Sequence, residues 1–559
     1  MPLMGSLYIG ASGLQTSQNT LNTTAHNLSN LDTKGYVRQQ ALLGTSIYNT
    51  IRIDTKAVAN QQVGSGVIYS RVRQVRDEFL DQTYRRESGR SAFYDVSLQT
   101  MEHMEGLLGE LEDSSFSNSL NDLWTAVQEL AKNPASSTIQ TLLVQRSSQF
   151  ISRAQSVYQG LSDYQDNLNE KIEKDIARIN EIGASIKQLN DSIRGIEAAG
   201  FEKANDLRDT RNSLVDELAS LANISYENDV FGNVCIKIEG TDFVTTADSY
   251  EIGLHTDEST GFYTPYWTHC ATYSVGADGN KHLNLDGCRV FNLDRVISSE
   301  TDTDIGSVKS TLLARGEKRA NYTDLQDKDY YDKNISKSIL MNIQAEFDQL
   351  IHGVVTSMNK VLENASDPVN GYLCNPDGSP LQMFTKITTN AYEHDGTKWN
   401  YVEEDKLDPS NPDYKVKTEF LYSTMNVHVN TELIKQPTLL YFVKPDGSED
   451  FQTAANLAAE FEKENYILNP NLKTECNFTD YYSNLVSQVA NTGSVMASIC
   501  ASQDNTVEQT DAAREQIMGV SSEEELSNMI KFQNAYNASS RYINVIDEML
   551  EHILSTLGA

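Results

Sequence analysis

The sequence predicts a multidomain protein in which the N- and C-terminal segments form an α-helical coiled-coil rod and β-rich domains are inserted into that rod. Three observations support this fold class. At 559 residues the chain is long enough to form several cores. Apolar residues recur at heptad spacing at both ends and in the first third, which is typical of paired helices. The stretches between them are rich in Gly, Asp, Asn, Thr and Tyr, with turn dipeptides such as Asp377-Gly378, which favours short strands.

The two ends each carry an apolar seam. The N-terminal row consists of Leu7, Leu14, Leu21 and Leu28, with Met4, Ala11 and Ala25 in the row beside it. The C-terminal row consists of Met529, Phe532, Tyr536, Ile543, Ile546, Leu550, Ile553 and Leu557. The second helix has a start signal, because Ser521 or Ser522 can cap it and glutamates follow three residues later. We therefore predict that the two ends pair, and that these leucines and the C-terminal row form an assembly interface.

A longer helical zone follows the N-terminal segment, and we predict an elongated helical bundle over about 75–222. One row of its seam contains Leu161, Leu168, Ile182, Leu189 and Ile196, and the row beside it contains Ile172, Ile179, Ile186 and Ile193. Asp175 interrupts the first row. A further helix predicted over 336–362 is expected to pack back on this bundle.

These patterns divide the chain into seven predicted segments. They are a terminal helix and exit turn (1–50), the first part of the rod (51–230), a β-rich insert (231–335), a helical return (336–372), a second β-rich or mixed insert (373–480), the last part of the rod (481–518) and the C-terminal helix (519–559). Insertions far out on a rod have few core contacts, so we expect the inserts to be solvent-exposed and free to vary.

Composition excludes several classes of partner. The net charge of -33 and the pI near 4.6 predict repulsion from nucleic acid and from anionic membrane surfaces. The sequence has no apolar run long enough to cross a bilayer, and its start lacks the basic and apolar regions of a cleaved signal peptide. The six cysteines are widely spaced, without a C-x-x-C pair, and we expect mostly buried thiols rather than disulfides.

No catalytic, cofactor-binding or metal-binding motif is found in the sequence, so we predict no enzyme, no cofactor and no metal site. The nucleotide-binding glycine loops, H-E-x-x-H and G-x-S-x-G are all absent. Asp302 with Asp304, and Asp327 with Asp329, begin like a calcium loop but lack its glycine and closing glutamate, so we interpret them as solvated loops.

The segment from Ala25 to Gln39, AHNLSNLDTKGYVRQ, resembles the N-terminal signature of flagellar rod, hook and hook-associated proteins. The residues that carry the resemblance are Asn27, Asn30, Thr33, Gly35, Tyr36, Arg38 and Gln39. A helix that ends in Asn, Asp and Gly before an extended exit fits this string physically. Further motifs resemble the family member that joins the hook to the filament. They are Ala204–Leu218, in which Asn212 departs from the usual Asp, and the C-terminal runs GVSSEEEL, FQNAYNA and IDEML.

The resemblance implies a structural subunit that is secreted without a cleaved signal and assembles at the distal end of the hook. Its implied partners are copies of itself in a helical ring, the hook protein, the next hook-associated protein and an export chaperone. Three alternatives stay open: another flagellar axial protein (hook, rod or filament-proximal junction protein), an extracellular enzyme carried on the inserts, and a soluble coiled-coil chaperone or scaffold.

Overall fold

The computed structural model describes residues 3–33, 35–53, 60–109, 115–200, 202–275, 281–390, 392–395, 399–401 and 420–557. Twelve α-helices lie within these ranges. They are α1 (Leu3–Ser29), α2 (Glu78–Leu108), α3 (Phe116–Lys132), α4 (Ser137–Glu197), α5 (Asn205–Leu221), α6 (Ser307–Arg315), α7 (Lys328–Tyr330), α8 (Ile339–Ala365), α9 (Thr431–Lys435), α10 (Phe451–Glu462), α11 (Phe478–Met518) and α12 (Ser522–Leu557).

The strands of the described residues are short and pair in antiparallel fashion. They are β1 (Gln39–Thr45), β2 (Asn49–Ile53), β3 (Asn60–Val63), β4 (Val67–Gln74), β5 (Ile224–Asn228), β6 (Val234–Ile238), β7 (Thr241–Val244), β8 (Ile252–Thr256), β9 (Tyr263–Trp267), β10 (Thr272–Val275), β11 (Lys281–Asn284), β12 (Phe384–Lys386), β13 (Tyr392–His394), β14 (Trp399–Tyr401) and β15 (Val427–Val429). Strands β5, β6 and β7 form a three-stranded sheet, and the other strands pair two by two. The predicted fold class, a helical rod with a β-rich middle, is confirmed.

The helices of the rod follow their sequence signals. Helix α2 begins where the Asp77 carboxylate accepts hydrogen bonds from the backbone N–H groups of Phe79 and Leu80. Helix α4 is 61 residues long and buries almost all of the predicted isoleucine rows, whereas Ile196 near its end is exposed. The predicted bundle thus consists of α2 to α5, and α11 returns along α2.

The segment 373–480, predicted to be an exposed insert, packs into the main core of the rod instead. Leu381, Phe384, Val427 and Phe442 are buried in the same cluster as side chains of α3, α4, α8 and α11. Trp124 of α3 stacks on Phe461 of α10, with ring centroids 5.2 Å apart. The expectation that few core contacts depend on this segment is therefore wrong, although its boundaries stay a prediction.

A second core joins the C-terminal half of α4 to the small sheets. Ile172, Ile179 and Ile186 pack with Phe243 of β7 and Trp267 of β9. The sheets begin at Ile224 rather than 231, and after β11 the chain forms loops and short helices up to α8. A third, smaller cluster lies between Ala320 and Ala345. Among the described residues, none of these three clusters includes a side chain of α1 or α12.

One predicted solvated loop is partly a buried ion-pair site. Asp304 is 0% exposed, and its carboxylate accepts hydrogen bonds from Arg90 Nε at 3.1 Å, Tyr94 Oη at 3.0 Å and Ser299 Oγ at 2.6 Å. Asp302 also binds Arg90, at 2.8 Å, but is half exposed. The prediction was wrong for Asp304 because Arg90 lies more than two hundred residues earlier in the sequence, where spacing gives no sign of the pair.

Candidate functional site: the terminal helical pair and its junction with the rod

Helices α1 and α12 pack against each other in an antiparallel arrangement. A Cβ on Gly10 would lie 2.7 Å from Cγ1 of Ile543, and one on Gly13 would lie 2.8 Å from Oγ of Ser539. At the other end of α1, Asn27 donates a hydrogen bond to Glu525 at 3.2 Å. The structure therefore brings the two predicted terminal helices together within one subunit.

The buried row of α1 consists of small and polar residues rather than leucines. It alternates in steps of four and three and contains Ser6, Gly10, Gly13, Ser17, Thr20, Thr24 and Asn27. Ser17 and Thr20 donate to the carbonyls of Gly13 and Thr16, at 2.8 and 2.7 Å, so their buried hydroxyls are satisfied within the helix. Glycine and these short side chains let α12 approach closely, as the Cβ distances at Gly10 and Gly13 show.

The predicted leucine row lies one residue along from this row. Leu7, Leu14, Leu21 and Leu28 are half-buried, while Met4, Ala11 and Ala25, predicted to fill the neighbouring row, are exposed. The prediction selected the correct helix but not the face at the centre of the contact. Hydrophobic periodicity gives weight to leucine and none to serine, threonine or glycine, and the packed row here is built from the latter.

The predicted seam of α12 faces α1 over most of its length. Met529, Phe532, Tyr536, Ile543 and Leu550 are half-buried, and Ile546 is 5% exposed. Ile553 differs, being 38% exposed. Since α1 begins at Leu3 and the register sets Gly10 against Ile543, the last turns of α12 extend past the start of α1. Leu557 ends α12, and its side chain lies outside the described residues.

Asn27 joins the end of α1 to the chain that leaves it and to α12. Its side chain is 1% exposed and uses both amide atoms twice. Nδ2 donates to Gln39 O at 2.8 Å and to Glu525 Oε2 at 3.2 Å, and Oδ1 accepts from Gln39 N at 3.0 Å and Tyr36 Oη at 2.8 Å. Asn27 thereby fixes the angle at which the exit strand leaves the helix.

The exit turn between α1 and β1 rests on helix α5. Asn30 accepts from Thr33 Oγ1 at 3.2 Å, and Tyr36 N donates to Thr33 O at 3.1 Å, which closes the turn. Gly35 has a φ of +82°, and a Cβ there would lie 2.7 Å from Oγ of Ser213 in α5. Glycine fits this position because it adopts positive φ without strain and leaves room for Ser213. The N-terminal signature and the Ala204–Leu218 motif are therefore two sides of one contact.

Asp209 of α5 binds the start of the exit strand. It accepts a hydrogen bond from Val37 N at 3.3 Å and from Gln74 Nε2 at 2.6 Å. Burial raises the pKa of its carboxyl group to about 7, and the nearby Asp206 acts in the same direction. Gln39, the last residue of the signature, donates to Asp206 at 3.2 Å.

Arg38 ties the exit strand to the break between α11 and α12. Its guanidinium donates to Glu525 Oε1 through Nε and to Glu524 Oε2 through Nη1, both at 2.9 Å. Its backbone N–H donates to Met518 O, also at 2.9 Å. Because Glu524 and Glu525 lie in the first turn of α12, their negative charges also interact favourably with the positive end of the helix dipole. Every signature residue in the described chain thus lies at this junction.

An ion-pair cluster that the sequence analysis missed fixes the end of α11 to the rod. Asp216 of α5 accepts from Arg85 of α2 at 2.6 Å and from Arg514 of α11 at 2.5 Å. Arg514 also lies 3.0 Å from Asp81 and covers the ring of Tyr84, with its Cζ 4.4 Å from the centroid. These residues are far apart in the sequence, and spacing gave no signal for them.

Apolar side chains are left exposed at one end of the helical pair. Tyr542, Val545 and Met549 are three and four residues apart, so they share a face of α12. Met4 and Tyr8 are exposed on α1, and the antiparallel register places them at the same end. Exposed groups of large apolar residues commonly mark contacts with other proteins.

The described residues contain no group of three or more His, Cys, Asp and Glu side chains arranged to hold a metal ion. None of the helices in these ranges is long and apolar enough to cross a membrane. All six cysteines are free thiols: Cys288, Cys476 and Cys500 are buried, Cys235 and Cys374 are half-buried, and Cys270 is exposed. The interactions described at the junction are hydrogen bonds, ion pairs and helix packing.

Comparison with family models covers all three helical zones. The model described as "Flagellar hook-associated protein FlgK helical domain" matches residues 101–373. The model "Flagella basal body rod protein" matches residues 7–36, and "Flagellar basal body rod FlgEFG protein C-terminal" matches residues 516–556. The two terminal matches coincide with the helical pair and its junction, which defines the chain as a flagellar axial protein.

Relatives of known family align with almost the whole chain. The flagellar hook-associated protein 1 of Bacillus subtilis (strain 168) is 24% identical over 98% of this chain and 96% of its own length. That of Escherichia coli (strain K12) is 24% identical over 99% and 100% of the two chains. The chain belongs to the flagellar hook-associated protein 1 family.

A solved structure resembles this fold. It is described as the structure of the flagellar hook junction protein FlgK from Burkholderia pseudomallei, and it aligns with a TM-score of 0.52 at 13% identity, covering 80% of this chain and 100% of the other. At this identity the likeness concerns the fold alone.

Proposed function

We propose that this protein is a structural subunit of the bacterial flagellum that assembles at the distal end of the hook and joins the hook to the filament. The observation that carries the proposal is the terminal pair: α1 and α12 close on each other within the subunit yet leave Met4, Tyr8, Tyr542, Val545 and Met549 exposed at one end. Heterologous contact of such a surface with neighbouring copies generates a ring or a helical array.

The proposed partners are copies of this chain, the hook protein and the next hook-associated protein, with an export chaperone before assembly. We propose that the protein is exported to the flagellum without a cleaved signal peptide, which fits the pairing of α1 with α12. The relatives named above are flagellar structural proteins, and the function proposed here requires no catalytic group.

The rival functions predict different behaviour. Another axial role, in the hook or rod, predicts that loss of the protein prevents hook completion. An enzyme carried on the β-rich middle predicts turnover that a substitution in 231–480 abolishes. A soluble chaperone or scaffold predicts function without incorporation into the flagellum.

A deletion strain separates these rivals. We expect it to build complete hooks without filaments and to shed flagellin into the medium, and we expect the wild-type gene on a plasmid to restore filaments. Electron microscopy of isolated hook–basal bodies is the measurement. Absent hooks would favour another axial role, and normal filaments would refute the proposal.

The exposed face of the pair can be tested in the same strain. Val545→Asp with Met549→Asp places two charges on this face at positions that are about half exposed, and we expect at least a tenfold loss of filaments per cell. The matched control is Asn544→Asp, an exposed polar residue of the same helix, for which we expect wild-type numbers. Normal filaments in the double variant would show that this face makes no assembly contact.

A further inference from the structure

The β1–β4 hairpin is basic in an otherwise acidic protein. From residue 35 to residue 76 the sequence contains Arg38, Arg52, Lys56, Arg71, Arg73 and Arg76 but only one acidic residue, Asp54. The chain as a whole has a net charge of -33. Two of these arginines are already used internally, since Arg38 pairs with Glu524 and Glu525 and Arg76 with Asp81.

The inner face of the hairpin packs on α1, whereas several side chains of its outer face are exposed to solvent. On the inner side, Tyr69 Oη lies 3.1 Å from Thr23 Oγ1, and Val67 N donates to Ser12 Oγ at 3.3 Å, which hold the hairpin on α1. On the outer face the exposed side chains include Ile68, Arg71 and Arg73; Arg73 donates to Gln40 of β1 at 2.9 Å, and Arg71 borders a cleft at the start of α5. A mixed apolar and basic sheet face of this kind is suited to an apolar surface bordered by carboxylates.

A groove with that character lies between the exit turn, α5 and the end of α11. Its volume is about 950 Å³. The described residues that line it include five carboxylates and the guanidinium of Arg514. Asp216 is paired with Arg85 and Arg514, and Glu217 with Arg178, so the acidic character of the groove comes from Asp32, Asp511 and Glu515. Arg514 is neutralised by Asp216 and Asp81. Leu31, Met518 and Val520 supply apolar lining.

We propose that the outer face of the β1–β4 hairpin of one subunit docks in this acidic groove of a second copy. The hairpin cannot reach the groove of its own subunit, because its inner face is fixed on α1 by the contacts of Tyr69 and Val67. The contact is heterologous, so repeating it generates an array rather than a closed dimer. This inference rests on the proposed function and adds to it the two surfaces that meet.

A charge exchange in the full-length protein tests the contact. Arg71→Glu with Arg73→Glu reverses the charge of the outer face of the hairpin. Asp32→Arg with Glu515→Arg reverses the charge of two exposed groove residues. We expect each double variant to reduce filaments per cell at least tenfold in the deletion strain, and the quadruple variant to recover at least half of the wild-type number. Normal assembly by the hairpin variant, or a quadruple variant no better than either double variant, would overturn the contact.

The matched control exchanges an exposed ion pair elsewhere. Glu170→Arg with Lys174→Glu reverses charges of the same size on α4, where the pair is 3.8 Å apart and solvated, and we expect wild-type assembly. Secreted amounts and melting temperatures of all variants are compared, so that a folding or export defect is recognised. Failure of the wild-type gene to restore filaments would refute the proposed function, whereas restoration without the charge effects refutes only the docking.

A photocrosslink gives a second readout that does not depend on charged variants. Benzoylphenylalanine at Ser70, which is exposed on β4, is expected to form dimers in assembled hooks whose crosslinked peptide lies within 511–521 or 31–36 of the second copy. Crosslinks confined to other segments would overturn the docking surface.

Discussion

At the scale of single residues, Asn27 shows why the N-terminal signature requires an amide. Both its atoms make two hydrogen bonds, and the acceptors on the Nδ2 side are a carbonyl and a carboxylate. A carboxylate at this position would have the correct shape but would face those two acceptors without a proton to offer. Shape alone therefore does not satisfy the site.

We expect Asn27→Asp to loosen the pairing of α1 with α12 while leaving the rod intact. An unsatisfied buried acceptor costs about 1–3 kcal/mol, and a charged one costs more. Hydrogen exchange of the backbone amides in 522–532 should accelerate at least tenfold. Asn22→Asp is the control, since Asn22 is exposed on the same helix, and exchange in 522–532 should change little in that variant. Equal protection in both variants would contradict the role given to Asn27.

Glu346 in α8 makes stability depend on pH. It is 0% exposed, accepts hydrogen bonds from Asn469 at 2.8 Å and from Gln488 at 3.0 Å, and burial raises its pKa to about 7. The folded protein therefore binds a proton that the unfolded chain releases near pH 4.5. Its contribution to stability is complete below about pH 4.5 and is lost as the pH rises to about 7.

We expect Glu346→Gln to reduce this loss. Between pH 5 and pH 8 the unfolding free energy of the wild type should fall relative to that of the variant by on the order of 2–3 kcal/mol. Chemical unfolding at both pH values measures the difference. Glu173→Gln, an exposed substitution on α4, should follow the wild type. Parallel curves for Glu346→Gln and the wild type would show that Glu346 is ionised in the folded protein at both pH values.

At the scale of elements, the sequence predicted helices well and their contacting faces less well. Helix α5 (Asn205–Leu221) coincides with the Ala204–Leu218 motif to within three residues at each end. Isoleucine rows identified the buried face of α4, since apolar side chains make up most of that face. On α1 the central row is made of Ser, Gly and Thr, which carry no hydrophobic signal, so the leucines beside it were selected.

The long-range contacts lay beyond the reach of sequence patterns. Arg514 and Asp216 are 298 residues apart, and Arg90 and Asp304 are 214 residues apart. Heptads and motifs report on neighbours within one element, whereas these pairs depend on how whole helices are arranged. The resemblance identified Asn27, Gly35 and Arg38, but only the structure shows that α5 and α12 hold them.

We expect Gly10→Leu to separate the terminal helices. The first side-chain atom would already lie 2.7 Å from Ile543, so α12 must move outward along the seam. Gly5→Leu is a matched control on the same helix, because a Cβ there meets no atom within 4 Å. Circular dichroism and limited proteolysis should show early cleavage in α12 for Gly10→Leu only. Identical digestion patterns would mean that the close approach at Gly10 is dispensable.

At the scale of the whole molecule, the pair formed by α1 and α12 lies outside the three apolar cores of the described residues. The three described core clusters lie in the rod and its β-rich middle, and the terminal pair contributes to none of them. The α1 side of the pair contributes mainly small and polar residues, and most apolar side chains of the α12 seam are only half-buried, so we expect the pair to gain less from apolar burial than the rod does.

We expect removal of residues 1–33 together with 522–559 to leave the main thermal transition within about 3 °C, since no core residue is lost. Differential scanning calorimetry measures it. Loss of filament assembly in the same variant would show that α1 and α12 are needed for assembly. A large drop in melting temperature would mean that the ends stabilise the rod.

The break at Gly519–Ser521 is crossed by two stretches of chain, the exit strand after α1 and the link from α11 to α12, and Arg38 bridges them. A single covalent link would act as a swivel, about which the helical pair could spin freely. Two links side by side resist torsion, yet the short unpaired stretch still permits bending. Twisting the helical pair about the rod must therefore distort both stretches of chain and the Arg38 contacts between them, whereas a single link would leave that rotation unhindered.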